Sequence, residues 1–462
     1  MKMKTNPNPT PRNLIGNNGR LFADPHPGAD ENAFQVDNTS SAYFNSPYYL
    51  LHQKQLQPVP PPRISPPIMK LVDVVGTAMI NQIQAAKKIS FHAMGDTGAA
   101  KVSASQSAAT AISHEGSVAD AIAADVQQAG PAAPAFFFHL GDVVYYFGEG
   151  QYYYDQFYEP FRAYDRPIFA IPGNHDGMVF GSTPNTPQIP TLAAFLRNFC
   201  ASAPGPSPDS GGLVRSVMTQ PGVYFTLDAP FVSIIGLYSN VLEGPGVISS
   251  QGGQYPTMNN NQLSFLQAEL TRLKPARDAG QQAVIIAVHH PPASVDSKHG
   301  GTTGLANDID KACLAAGLWP DAVLSGHAHL YQRFSRSVPG LGRMIPYVVS
   351  GSGGFSATPP QLGSPPAGTT SGQYTLVIPP VIDFGYLTIT VDMTNSQAGT
   401  LTISYRSPSQ PKEHDSVLVN LTPVKAILAP KGHPQIQKAG AAAEKGRQGK
   451  TQTVARSHGG RR

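Results

Sequence analysis

The stretch Ser325-Gly-His-Ala-His-Leu-Tyr-Gln-Arg333 follows a short apolar run, Ala322-Val323-Leu324, with the pattern of the end of a buried strand. His327 and His329 stand two residues apart. In an extended segment alternate side chains point the same way, so the spacing predicts two imidazoles converging on one point. Gly326, with no Cβ, permits a sharp turn or a close backbone approach there. Two histidines meeting at a strand end are either half of a metal site or a hydrogen-bonded surface pair. The choice rests on what ends the other apolar runs.

Four further runs end in polar clusters. Ile89-Ser-Phe-His-Ala-Met-Gly-Asp96 reads as a strand ending in a carboxylate. Phe136 to Leu140 is followed by Gly141-Asp142-Val-Val-Tyr145, and Pro167 to Ile171 by Pro172-Gly173-Asn174-His175-Asp176. Val284 to Val288 is continuously apolar, hence a buried strand, and ends in His289-His290-Pro291-Pro292. Helical patterns lie between: Val74 to Lys88, the Ala-rich Ser117 to Ala129, the aromatic Tyr153 to Tyr164, and Asp308 to Leu318. The clearest has Leu263, Leu266, Leu270 and Leu273 on one face, with an N-cap among Asn259 to Asn261. Val223 to Leu227 and Phe231 to Ile235 read as an antiparallel pair, Ile345 to Val349 as a strand, and Phe384 to Asp392 with Thr400 to Tyr405 as a hairpin. Strands alternating with helices predict an α/β layered core, with ligands beyond the carboxyl ends of the strands.

At 462 residues the chain holds ample material for one large or two ordinary domains. Its 45 Gly and 44 Pro imply long irregular connections, placed at 201–222, 240–259 and 355–376. Two cysteines, Cys200 and Cys313, exclude a disulfide framework and an all-thiolate metal site. No apolar run reaches the ~18 residues that span a bilayer. The first 22 residues lack the apolar core of a secretory signal, so the expectation is a cytoplasmic protein or one exported by another route. The net charge of +4 hides a division. From Lys425 onward nine Lys/Arg meet one acid, Glu444, for +8, so the rest of the chain carries −4. That tail reads as disordered and solvated, with contact to nucleic acid or another polyanion as the minor reading. The expected organisation is an irregular N-terminal extension over 1–85, packed on the core, a catalytic domain over 86–424, and a disordered basic tail over 425–462.

Taken together, the five clusters offer oxygen and imidazole donors and no thiolate, a set that suits Fe, Mn or Zn. They are too many for one ion and fit two ions ~3.5–4 Å apart sharing a carboxylate, an arrangement that clamps a phosphoryl group. The blocks Gly95-Asp96-Thr97-Gly98, Gly141-Asp142-Val-Val-Tyr145, Gly173-Asn174-His175-Asp176, Val288-His289 and Gly326-His327-Ala-His329 resemble the five ordered motifs of calcineurin-like metallophosphoesterases, over roughly residues 88 to 355. The Tyr of Gly-Asp-x-x-Tyr and the Gly-Asp-x-Gly opening resemble the purple acid phosphatase branch.

The resemblance implies a four-layer αββα sandwich: two mixed sheets face to face, helices outside, the metal centre at the strand ends, and the 384–405 hairpin closing one sheet. It implies that Asp96, Tyr145 and His329 bind one metal, typically Fe(3+), with Tyr145 deprotonated. Asp142 would bridge, and Asn174, His289 and His327 would bind a divalent Fe, Zn or Mn. His175 would stabilise the phosphoryl group in the transition state, and metal-bound hydroxide would attack a phosphate monoester. His299, in the loop Asp296-Ser-Lys-His-Gly300, is either a second catalytic group that orients phosphate or protonates the leaving oxygen, or an exposed loop histidine. His290 reads as the variable residue beside His289, Arg333 as a salt-bridge partner, and His92 and His139 as satisfied interior histidines. Unlike large plant members, the chain has no run of short strands in 1–85 for an N-terminal β-sandwich. Two other readings remain: a phosphodiesterase or nucleotide hydrolase using the same centre, and a non-catalytic metal-containing scaffold. The expected partner is a small phosphate ester; nothing in the sequence bears on oligomeric state.

Overall fold

A computed structural model describes residues 56–98, 108–128, 133–145, 147–177, 191–213, 215–240, 244–355, 365–395 and 397–423. The readings for residues 1–55 and for the basic tail lie outside these residues, as do parts of the loops at 240–259 and 355–376.

The chain opens with β1 (Ile68–Lys70), α1 (Val72–Ala86), β2 (Lys88–Met94), α2 (Ala108–Gln128), β3 (Phe137–His139), β4 (Ile168–Ala170), and the short α3 (Asn174–Gly177) and α4 (Ala193–Phe199). It continues with β5 (Phe225–Ala229), β6 (Val232–Leu237), α5 (Asn261–Asp278), β7 (Ala283–Val288), α6 (Thr303–Ala316) and β8 (Ala322–Ser325). The strands β9 (Tyr331–Ser337), β10 (Met344–Ser350), β11 (Thr370–Ser371), β12 (Tyr374–Leu376), β13 (Tyr386–Asp392), β14 (Gly399–Ser407) and β15 (Gln410–Leu421) complete it. One sheet runs β1-β5-β6-β7-β8-β10-β9-β12-β11 and the other β15-β14-β13-β2-β3-β4. Both are mixed: β6, β7, β8 and β10 are parallel, as are β2, β3 and β4, while β13 meets β2 antiparallel.

The pleat sends alternate side chains to opposite faces. Ile89, Phe91 and Ala93 of β2 and Phe138 of β3 meet Ile285 and Ala287 of β7 and Leu324 of β8 in one apolar layer between the sheets. The intervening residues face outward. Val284, Ile286 and Val288 pack under Leu266, Leu270 and Leu273 of α5 and Ile309 of α6, while Met94 and Phe137 pack under Val118, Ile122 and Val126 of α2. Every layer is therefore covered, which is why these strands read as continuous apolar runs rather than as alternation. Each fully buried Phe, Leu or Ile contributes on the order of 1.5–3 kcal/mol, so the interior rather than helix propensity holds the four αββα layers together. Among the described residues no helix is long and apolar enough to cross a membrane.

Several expectations change. The end of the N-terminal extension is regular: β1 pairs parallel with β5 and so belongs to the large sheet. The aromatic segment Tyr153–Tyr164 is a short π-helix at Tyr154–Tyr158 followed by turns, because its rings pack on several sides instead of along one helical face. Helices α2 and α6 begin earlier than their apolar patterns suggested, at Ala108 and Thr303. The 384–405 hairpin does not close its sheet. β13 lies inside it and β15 forms the edge, an element hidden by its exposed side chains, Leu418 among them. Nor is the His327–His329 segment extended. β8 ends at Ser325, and His327 adopts a φ of 67° in the turn before β9.

Candidate metal centre

The carboxyl ends of β2, β3, β4, β7 and β8 deliver five turns to one place. Three of the turn residues, Asp96, Asp142 and His327, have φ of 59°, 56° and 67°. Asp and His tolerate this left-handed region better than most residues, and such backbone conformations cluster at functional sites.

The seven metal-ligand candidates come together in two groups. In the first, the Tyr145 hydroxyl lies 3.1 Å from Asp96 Oδ1 and 3.2 Å from His329 Nε2, and His329 Nε2 lies 3.3 Å from Asp96 Oδ1. In the second, Asn174 Oδ1 lies 3.1 Å from His289 Nε2 and 3.0 Å from His327 Nδ1. Asp142 stands between them, with Oδ2 3.0 Å from the Tyr145 hydroxyl and 3.3 Å from His289 Nε2. Donor atoms of Asp142, His289 and His327 all lie within 4.8 Å of one another. His327 and His329 thus serve opposite groups instead of one point. The turn at His327 separates them, where an extended segment would have aligned them.

Supporting contacts fix several of the donors. His289 Nδ1 lies 2.9 Å from the Leu140 carbonyl, which leaves Nε2 for the centre. The His327 backbone N–H donates to Asp96 Oδ2 at 2.8 Å, and the His175 N–H donates to Asp142 Oδ1 at 2.9 Å. Asp176 accepts from the backbone N–H groups of Gly173, Val143 and Val144, tying the Asp142 turn to the Asn174 turn. Gln156 brackets Tyr145, accepting from its N–H and donating to its carbonyl. Phe355 stacks on the Tyr145 ring at 3.7 Å between centroids. Sequence reasoning gave these last three no role. Asp176 was legible in its motif block; Gln156 and Phe355 carried no signal, because only the fold brings them here.

The remaining candidates are also placed. His175 is buried, its ring 4.5 Å from that of Tyr145. His299 is half-buried, its ring 4.0 Å from that of His327 and 6.2 Å from that of His329. Its loop is wound round the buried Asp296 carboxylate, which accepts from the N–H groups of Lys298, His299 and Gly300. His290 is buried beside the centre, with Nδ1 2.6 Å from the Ser239 hydroxyl. Arg333 makes a two-pronged ion pair with Asp415 and takes no part. His139 bridges Thr97 and the Gly141 N–H, and His92 lies between Tyr164 and Asp125.

The chain matches the calcineurin-like phosphoesterase family over residues 89–331, just over half of its length. It belongs to that family. A search among curated proteins finds no match. Among solved structures, a purple acid phosphatase from yellow lupin (Lupinus luteus) seeds is similar at 17% identity and a TM-score of 0.46, covering 72% of this chain and 54% of that one. The chain therefore spans about half the length of the lupin enzyme. The anchor protein of the Plasmodium inner membrane complex is similar at 13% identity, with 72% and 89% coverage and a TM-score of 0.46. A dimetal phosphatase from Danio rerio is similar at 12% identity, with 72% and 99% coverage and a TM-score of 0.40.

In this calcineurin-like phosphoesterase the donors suit cations. Asp96 and Asp142 are buried, and among the described residues their ion-pair partners are histidines rather than Lys or Arg. Burial works against charge on Asp142, yet His289 and His175 hold its carboxyl well below the usual range. Burial also lowers His289, but the charges of Asp142 and Asp96 outweigh it and push the ring up to about 9. Burial, and then the Asp142 charge, raise Asp176 to about 7. Burial and the same two carboxylates lift Tyr145 well above the phenol range, so without a cation it is a neutral donor. Such buried negative charge is costly unless paired or metal-bound. Family membership and this group of donors support metal-dependent phosphoester hydrolysis at a dinuclear centre.

Gly173 shows how closely the turns meet. A Cβ there would overlap both Oδ1 and the backbone nitrogen of Asp142. We expect Gly173→Ala to lower metal content and to cut turnover at least about tenfold, because a displacement near 1 Å is enough to disturb a reacting geometry. Metal analysis and steady-state rates on the purified variant check this.

Proposed function

We propose that the chain hydrolyses phosphate monoesters. The observation carrying this reading is the position of Asp142, one oxygen of which faces both donor groups. Asp96, Tyr145 and His329 would hold Fe(3+), and Asn174, His289 and His327 a divalent Fe, Zn or Mn. Bound there, the two ions would acidify a water and offset the charge that builds on the phosphoryl oxygens. His175 supplies a further donor for those oxygens, preorganised by its N–H on Asp142. His299, beside His327, orients the ester or gives a proton to the leaving oxygen. Phe355, stacked on the Tyr145 ring, holds that ring in place. The preference for monoesters rests on the likeness of Gly141–Tyr145 to purple acid phosphatases.

Initial rates on an aryl phosphate monoester and the matching diester, with protein loaded with iron plus zinc or manganese, test the reading. A monoester preference at acidic pH supports it. A diester preference moves it to a phosphodiesterase with the same ligands, and bound metal without turnover leaves the scaffold. Tyr145 gives a spectroscopic check. Ferric iron should produce a visible absorption band in the wild type that Tyr145→Phe loses; a band unchanged in that variant would remove Tyr145 from the ligands.

A further inference from the structure

His299 has a second face. The residue whose ring lies 4.0 Å from that of His327 also lines a cavity of about 570 Å³. That volume lies within the ~300–1,000 Å³ of small-molecule sites. We propose that this cavity is the leaving-group subsite and that it takes a polyhydroxylated alcohol, making a sugar or polyol monophosphate the substrate class. The inference rests on the phosphoesterase reading and narrows it.

The lining argues for this class. Thr303, Asn307 and Lys311 recur every four residues along α6 and so share the face that meets the cavity. Gln251, Gln254 and Tyr255 contribute from the loop before α5. Thr302 ties the two walls together, its hydroxyl accepting from the Gly246 N–H at 3.2 Å. Side-chain amides carry donor and acceptor on one group, as an alcohol does, and they match vicinal hydroxyls without any net charge. Lys311 does not make the wall cationic: it lies 3.3 Å from the buried carboxylate of Asp308, so the two charges offset each other. A second phosphate would need a cation not already so engaged. A nucleobase would look for aromatic faces to stack on, and apart from His299 the described residues of the lining offer only Tyr255. What remains among the described residues is a neutral, amide-rich wall next to His299.

Asn307 and Gln254 are both exposed, so replacing them leaves the core untouched. In metal-loaded protein, Asn307→Leu and Gln254→Leu should each lower kcat/KM for a hexose 6-phosphate about five- to tenfold, as loss of one hydrogen bond to a substrate hydroxyl does. The rate on an aryl phosphate should fall less than that on the hexose phosphate, because an aryl leaving group carries no hydroxyls for these amides to bind. Saturation-transfer NMR with glucitol should show contact with the wild type and lose it in the double variant. Equal changes for the two esters, no change for either, or glucitol transfer that ignores the double substitution would each overturn the subsite. If the wild type turns over no ester at all, the phosphoesterase reading falls and the leaving-group assignment falls with it. The glucitol measurement then decides separately whether the cavity takes polyols.

Discussion

Replacing Asp142 by alanine should reduce turnover at least about a thousandfold and loosen metal binding, with the fold retained. The size follows from how many atoms depend on this carboxylate. Its Oδ2 faces the Tyr145 hydroxyl and His289 Nε2, and its Oδ1 holds the His175 N–H. Alanine removes the donor common to both groups and frees the turn that aims His175. Each tenfold in rate corresponds to about 1.4 kcal/mol of barrier, and charge stabilisation by bound ions supplies several kcal/mol. Asp142→Asn separates the contributions. It keeps the side chain's shape and an oxygen able to accept from His175, but removes the charge that two cations need. It should therefore lose most of the activity while staying closer to the wild type in thermal stability than the alanine variant. Metal analysis and single-turnover rates on both proteins, beside a circular dichroism melt, distinguish loss of chemistry from loss of structure. Wild-type turnover in either variant would remove Asp142 from the centre.

The second large effect lies away from the site. Asp321→Ala should destabilise the protein by about 3–5 kcal/mol, the usual consequence of removing one partner of a buried ion pair. Arg277, near the end of α5, places Nε 2.9 and 2.8 Å from the two Asp321 oxygens, and both side chains are buried. Asp321 also accepts from the Val284 N–H at 2.9 Å, and its own N–H donates to the Val284 carbonyl at 2.7 Å. One residue thus fixes the starts of β7 and β8 and pins α5 across them. Alanine would leave the Arg277 guanidinium in the interior without its counter-charge. Double substitution with Arg277→Met should recover part of the loss, because an apolar side chain of similar length suits the space better than an orphaned charge. Urea denaturation measures this directly. A loss below about 1 kcal/mol in the single variant would show that the Arg277 charge finds water or another partner there.

The strands that build the centre were readable because they are buried on both faces and end in groups no apolar core would choose. Val284–Val288 followed by His289, and Phe136–Leu140 followed by Gly141-Asp142, announce both an element and its function. The edge strand β15 has no such signature: its outward side chains face water, and its alternation is drowned by charged residues. The π-helical turn at Tyr154–Tyr158 was missed for the opposite reason, since an aromatic-rich segment buried on several sides has no preferred face. The two histidines of Ser325–Arg333 were recognised as donors but aimed wrongly, because residue types do not give a φ of 67° at His327. Gln156 and Phe355 act on Tyr145 from 11 positions away in one case and from a distant loop in the other. Only tertiary packing shows their role.

The central claim is that two cations, held through a shared Asp142, carry the activity. The most direct test strips the protein with a chelator and adds metal back in measured steps while following aryl phosphate hydrolysis and bound metal together. The account predicts no turnover in the stripped protein and a rate that rises until two equivalents per chain are bound, with Asp142→Ala failing to recover at any loading. Turnover that survives stripping, or that is complete with one equivalent, would contradict it.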